Sequence, residues 1–264
     1  MSQTIYGVAN AFCWAELYTP DSQKSKDFYN KLFSWTYETD EMTHEDSACS
    51  QYIHAMLPEG PVAGMMQIEG ELKKQGVPPH WASYVGVKDA VKTVNLAKKL
   101  GASVIMPPKE IPQAGTMAVI QDPTGAFIHF WQPHKENQSP ERNIHGMVGW
   151  NELLTADAAK AKEFYTNLFG WGTHEENVNG HLYTSFIFDN KFIGGMMQIS
   201  KEMGPIPSHW SIYFTTNDIE ASRKIAQEQG AMELSPLMTL PNIGKMIAIK
   251  DPADGIFSLF EWAK

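Results

Sequence analysis

The chain has 264 residues, 43% hydrophobic and 19% charged, with a formal net charge of -9. That length suits about two domains, the composition excludes a disordered or fibrous chain, and scattered Lys and Arg on an acidic background argue against a nucleic-acid phosphate track. No apolar run reaches the ~18 residues of a membrane span and the start MSQTIYGVAN lacks a signal-peptide pattern, so a cytoplasmic protein without nucleic-acid or membrane partners is expected.

Read in chain order, AFCWAELY alternates like a strand. Asp21 then caps SQKSKDFYNKLF, whose apolar residues (Phe28, Tyr29, Leu32, Phe33) fall at helical spacing. Two strand-like runs follow, SQYIHAML and VAGMMQI, parted by the turn residues PEGP. One module reads βαβββ, of which these runs mark three of the four strands. The order then recurs: HWASYVGV as a strand, DAVKTVNLAKKLGA as a helix closed by Gly101, then strands around SVIMPP, TMAVIQD and AFIHFWQ.

The second half repeats the first. WAELYTPD at Trp14 returns as WNELLTAD at Trp150, FYNKLFSW as FYTNLFGW, and GMMQI at Gly64 unchanged at Gly195. His80-Trp81 matches His209-Trp210, and IPQAGTMAVIQDP matches LPNIGKMIAIKDP. A duplicated sequence implies a duplicated fold. The expected class is α+β, with tandem domains at 1–132 and 146–264, each of two βαβββ modules, joined by the polar linker PHKENQSPERNIH at 133–145.

A strand, a D-x6-FY helix, an LFGW-like exit, a VAGM strand and a DPxG turn together resemble the vicinal-oxygen-chelate superfamily of glyoxalases, bleomycin-resistance proteins and extradiol dioxygenases. The likeness is greatest to its tandem, two-domain glyoxalase-like branch. The resemblance implies paired modules curled into a cup, with helices outside and a divalent metal held by one ligand from each of four strands. Such a metal chelates two neighbouring substrate oxygens as a Lewis acid.

The corresponding positions here are Trp14 and Trp150, a place within GMMQI where Gln67 and Gln198 are the conceivable ligands and methionine the expected occupant, Ala82 and Ser211, and His129 and Leu259. Indole N–H is a donor and cannot ligate, so His129 is the one metal ligand carried over. A set displaced by two residues, which keeps the same strand face, would be Glu16, His80 and His129. It would support a lyase or dioxygenase in the first copy.

Glu16 and Glu152 recur inside apolar strands, where a carboxylate is costly unless paired or used. Each is a candidate catalytic base or acceptor, or else a partner of a backbone N–H or of an arginine such as Arg142 or Arg223. Trp14, His80, Tyr84, Trp150, His209 and Tyr213 are candidate ligand-binding residues, although His80 and His209 also suit packing at a strand entrance beside a backbone acceptor. The Met-Met pairs suggest an adaptable apolar wall. His44, His54, His134, His145, His174 and His181 lack repeat-related partners and are assigned to surface or loops, and Cys13 and Cys49 lack a metal or redox spacing.

These residues imply binding or transformation of a small oxygenated or aromatic molecule in a sheet cup. A lyase, isomerase or dioxygenase, a binding protein of the bleomycin-resistance kind, and a single working copy all stay open. So do a resident divalent metal and the choice between a monomer pairing its own domains and a homodimer.

Overall fold

The computed structural model describes residues 9–41, 50–135, 143–178 and 180–263. His44, Cys49, Arg142 and residues 136–142 of the expected linker lie outside them. The first copy contains β1 (Phe12–Thr19), α1 (Ser22–Phe33), β2 (Thr36–Glu41), β3 (Gln51–Leu57), β4 (Gly60–Gln67), the short α2 (Gly70–Lys74), β5 (His80–Gly86), α3 (Ala90–Lys99), β6 (Ser103–Ile111), β7 (Gly115–Gln121) and β8 (Phe127–Pro133). The second contains β9 (Val148–Thr155), α4 (Ala158–Phe169), β10 (Gly172–Val178), β11 (His181–Phe188), β12 (Lys191–Gln198), β13 (His209–Thr215), α5 (Ile219–Glu228), β14 (Met232–Glu233), β15 (Met238–Leu240), β16 (Gly244–Lys250) and β17 (Ile256–Trp262).

Strand order is β2-β3-β4-β1-β5-β8-β7-β6 in one sheet and β10-β11-β12-β9-β13-β17-β16-β14 in the other, with β15 beside β16. The pairs β1–β4, β5–β8, β9–β12 and β13–β17 are parallel, and the hairpins around them antiparallel. These are two mixed-sheet, α+β domains.

β2 and β10 were not marked by any apolar run. Their sequences, TYETDE and GTHEENV, are almost wholly exposed, because each lies at a sheet edge and is recruited by pairing with β3 or β11. Charged residues on an edge also deter pairing with another chain.

Each main helix is built by the same local rule. Asp21, Asp89, Asp157 and Asp218 each accept a backbone N–H three residues on, satisfying a donor that the first turn leaves orphaned. A second first-turn N–H goes to a side chain at or near the end of a neighbouring strand: Gln67 for α1, Gln132 for α3, Gln198 for α4 and Glu261 for α5. The helix of FYTNLFGW ends on Gly170 at φ 70°, whereas FYNKLFSW places Ser34 in the same left-handed conformation at φ 59°.

Two compact units divide the chain, and each has its own apolar core. One takes Met1–Trp14, Ser83–Ser139 and Trp150–Ser211, with Val94, Ile128, Phe164 and Phe186 in its core. The other takes Ala15–Ala82, Pro140–Gly149 and Ile212–Lys264, with Leu17, Phe28, Phe214 and Leu259. A unit thus combines the first module of one copy with the second module of the other.

The three strongest repeated motifs meet in these cores. In the second unit Tyr29 donates to Asp251 Oδ2 at 2.7 Å and accepts from Trp81 Nε1 at 2.9 Å. In the first, Tyr165 donates to Asp122 Oδ2 at 2.8 Å and accepts from Trp210 Nε1 at 2.8 Å. The other aspartate oxygen holds the turn that each Asp-Pro opens, through the backbone of Ala253 and Gly255 or of Thr124 and Ala126. Burial pushes the Tyr29 phenol well up, with Asp251 adding to it, so Tyr29 stays a neutral donor. Burial raises Asp251 above the ordinary carboxylate range, against the lowering effect of Tyr29.

Replacing Tyr29 by Phe orphans Trp81 and strips Asp251 of a donor, at a cost of about 2 kcal/mol or more at neutral pH. A raised folded pKa means that ionised Asp251 opposes folding above that pKa, and Tyr29 offsets this. The cost of Tyr29→Phe in urea unfolding should therefore shrink as pH falls and Asp251 protonates. Ser34→Gly should stabilise the fold by about 1 kcal/mol, since glycine adopts positive φ without the Cβ penalty.

Candidate functional site

Within each first module the sheet has two different faces. Leu17 and Met65, or Leu153, Met196 and Phe186, face the helix and its core. Side chains alternate, so Glu16, Met66, Tyr52 and His54 share the opposite face in copy one, as do Trp150, Glu152, Met197, Tyr183 and Ser185 in copy two. The register agrees. Gly64 lies between Glu16 and His54, and Gly195 between Glu152 and Ser185.

Both glutamates are buried, Glu16 at 3% exposure and Glu152 at 8%. Their partner is a tyrosine two strands away: Tyr52 donates to Glu16 Oε2 at 2.7 Å, and Tyr183 to Glu152 Oε2 at 2.9 Å. Trp150 Nε1 in turn donates to the Tyr183 hydroxyl at 2.8 Å. Burial first, then the Glu152 charge, pushes the Tyr183 phenol well up and keeps its proton on it. The glycine between makes the reach possible, because a Cβ at Gly195 would fall on the Tyr183 hydroxyl and ring.

Of the two arginines expected as partners, Arg223 is a correction, since it binds Glu233 and Glu220, and Arg142 lies outside the described residues. Tyr52 and Tyr183 were missed, yet they are separated by the same 131 residues as Gly64 and Gly195. That shared offset was the available signal.

His80 and His209 have matching surroundings. Nδ1 of each ring lies against a prolyl carbonyl, Pro78 at 2.7 Å and Pro207 at 2.8 Å, and His80 stacks on Tyr18 at 4.7 Å. Burial lowers the His80 pKa despite that carbonyl.

Trp14 is buried in β1. Tyr84 is buried, donates to Met117 Sδ at 3.3 Å and lies 4.6 Å from the buried His129 ring, its partner in strand register. Tyr213 is buried beside Phe260. Cys13 is also buried, and burial pushes its thiol up, out of the reactive range.

His54 corrects the assignment to surface or loop. It sits inside β3 at 5% exposure, its Nε2 3.1 Å from Asp40 Oδ2. His145 is half-buried against Phe33, while His134 pairs with Glu110 and is exposed with His174 and His181.

The donors do not fit the superfamily's metal. Gln67 and Gln198 lie on the helix face and receive helix N–H groups at Oε1, which leaves Met66 and Met197 on the face of the glutamates. Trp150 is a donor to Tyr183, and the register corrects the counterpart of His129 from Leu259, which is buried in the helix-side core, to Ser258. The displaced set of Glu16, His80 and His129 is a further correction. Among the described residues no group of three or more His, Cys, Asp or Glu is placed to hold a metal ion, and Glu16 and His80 Nδ1 have the partners just described.

The model of the Glyoxalase/Bleomycin resistance protein/Dioxygenase superfamily matches residues 11–130 and 147–257. The chain is 30% identical over 256 residues to "Putative glyoxylase CFP32" of Mycobacterium tuberculosis (strain CDC 1551 / Oshkosh), covering 94% of this chain and 93% of that protein. It is 27% identical over 259 residues to the anthracycline biosynthesis protein DauV of Streptomyces sp. (strain C5), covering 94% and 92%. Among solved structures, the 2,3-dioxygenase LapB of Pseudomonas sp. KL28 superposes with a TM-score of 0.63 at 12% identity over 99% of this chain and 94% of that one. The Mn(II)-bound glyoxalase of Novosphingobium aromaticivorans gives 0.60 at 10% identity, over 99% and 83%. Repeat, strand order and matched residues agree, and the chain belongs to the Glyoxalase/Bleomycin resistance protein/Dioxygenase superfamily.

Proposed function

We propose that the chain binds a small, oxygenated aromatic molecule against the helix-free face of its first modules, with a buried glutamate–tyrosine pair as the polar anchor in each copy. The observation that carries this reading is the recurrence of that pair, Glu16 with Tyr52 and Glu152 with Tyr183. Duplicated core packing needs no carboxylate under a strand, and burying one is costly. A site that receives a ligand hydroxyl gains from it.

The surroundings suit an aromatic ligand. Trp150, Tyr183 and Met197 are half-buried over Glu152, a flat and polarisable apolar face with one acceptor beneath. A carboxylate can accept several donors at once, so a ligand O–H can bind beside the phenol. In this reading the same carboxylate takes a proton from an acidic position on a bound ligand, with the neutral tyrosine keeping it oriented. The likeness to DauV supports the ligand class, anthracyclines being hydroxylated polycyclic aromatics.

Titrating the protein with a panel of hydroxylated aromatic compounds, followed by tryptophan fluorescence, tests the reading. Saturable quenching indifferent to chelator is expected, weakened about tenfold when Glu152→Gln removes a charge-assisted hydrogen bond. Binding that appears only with added metal, or that Glu16→Gln and Glu152→Gln both leave intact, overturns it. In the same assay Gly195→Ala should displace the Tyr183 phenol and abolish second-copy binding, with a stability loss of about 1–3 kcal/mol. Unchanged affinity in a folded Gly195→Ala protein would show that the phenol's position is immaterial.

A further inference from the structure

The first copy carries one polar group that the glutamate–tyrosine pair does not use. His54 lies on the same sheet face as Glu16 and Tyr52, opposite Gly64 in register, with its ring 4.8 Å from that of Tyr52. Its Nε2 meets the Asp40 carboxylate at 3.1 Å. A carboxylate only accepts, so that nitrogen bears the proton and the neutral ring presents its lone pair at Nδ1. Nδ1 is buried and has no hydrogen-bond partner among the described residues. A buried acceptor left unsatisfied costs about 1–3 kcal/mol. The second copy has Ser185 at the corresponding place and no imidazole there.

We propose that His54, oriented by Asp40, is a specificity-determining residue of the first copy's site, and that its Nδ1 receives the hydroxyl of a phenolic ligand. This rests on the reading above and adds to it: the two copies are not equivalent, and the first selects ligands that carry a phenolic O–H. A methyl ether of the same ring lacks the donor and would leave Nδ1 unpaired. Discrimination arises because only the phenol satisfies an acceptor that is already unpaired in the free site.

Burial, opposed by Asp40 and by Glu38, holds the His54 pKa below the ordinary histidine value. The groups facing the ring are Asp40 and Glu38 from β2, Tyr52 on its own strand and Glu16 on β1 across Gly64. Protonation would convert Nδ1 from acceptor to donor. The preference for the phenol therefore persists into mildly acidic solution and is lost only as pH falls through that lowered pKa.

The test compares 4-nitrophenol with 4-nitroanisole on the full chain, wild type and His54→Phe, with Glu16→Gln as the reference. The expected result is that His54→Phe weakens 4-nitrophenol about tenfold at one of two sites and leaves 4-nitroanisole unchanged. Equal loss for both probes shows a packing role and overturns the proposal, and so does no loss for either. If Glu16→Gln weakens the phenol while His54→Phe does not, the glutamate–tyrosine reading stands and this one falls. Binding of neither probe to the wild type removes both. Nitrogen NMR of the wild-type imidazole does not depend on the variant folding. A protonated Nε2 with a bare Nδ1 is expected, and a proton on Nδ1 at neutral pH overturns the assignment.

Discussion

The rest of the structure depends on a buried tyrosine that donates to an aspartate and accepts from a tryptophan. Tyr29 with Asp251 and Trp81, and Tyr165 with Asp122 and Trp210, draw together the three motifs that the duplication preserves most visibly. Each aspartate also holds the turn before a strand of the other copy, so one carboxylate fixes both a loop and a helix. Because all the polar atoms involved are buried, the network is stabilising only when complete. This explains why FY, HW and DP recur together: none can be satisfied without the other two.

That interaction assigns the faces of the sheet. The helices cover one side through Leu17, Met65 and their counterparts, and the alternation of the strands turns Glu16, Tyr52, Glu152 and Tyr183 to the other. There the spacing between strands becomes decisive. A tyrosine reaches a glutamate across an intervening strand only where that strand carries no side chain, which gives the glycine in GMMQI a chemical reason in the second copy. On that face GMMQI presents Met66 and Met197, while Gln67 and Gln198 lie on the helix side and each bind the start of a helix.

Divergence between the copies is confined to small changes on a common frame. His54 with Asp40 stands where the second copy has Ser185, and Ser34 holds a left-handed position that glycine occupies in the other copy. Such differences leave the strand order intact and alter what each face offers a ligand. Membership of the superfamily therefore speaks for the fold, while the face residues speak for what is bound.

The sequence by itself determined the duplication, the apolar strands and the helix starts, because repeats, aspartate caps and apolar periodicity are local or self-referential signals. It also pointed to Glu16 and Glu152, since a carboxylate inside an apolar strand is anomalous on its own. It did not reveal β2 and β10, whose polar residues form strands only because a neighbour offers hydrogen bonds. Only the tertiary structure decided that Tyr52 and Tyr183 are the glutamates' partners and that Arg223 is not. Only there does His54 come to lie buried beside Tyr52, and among the described residues no set of metal donors converges. Those outcomes depend on which strands pair and in what register, and pairing between distant segments leaves no mark in the local pattern of either.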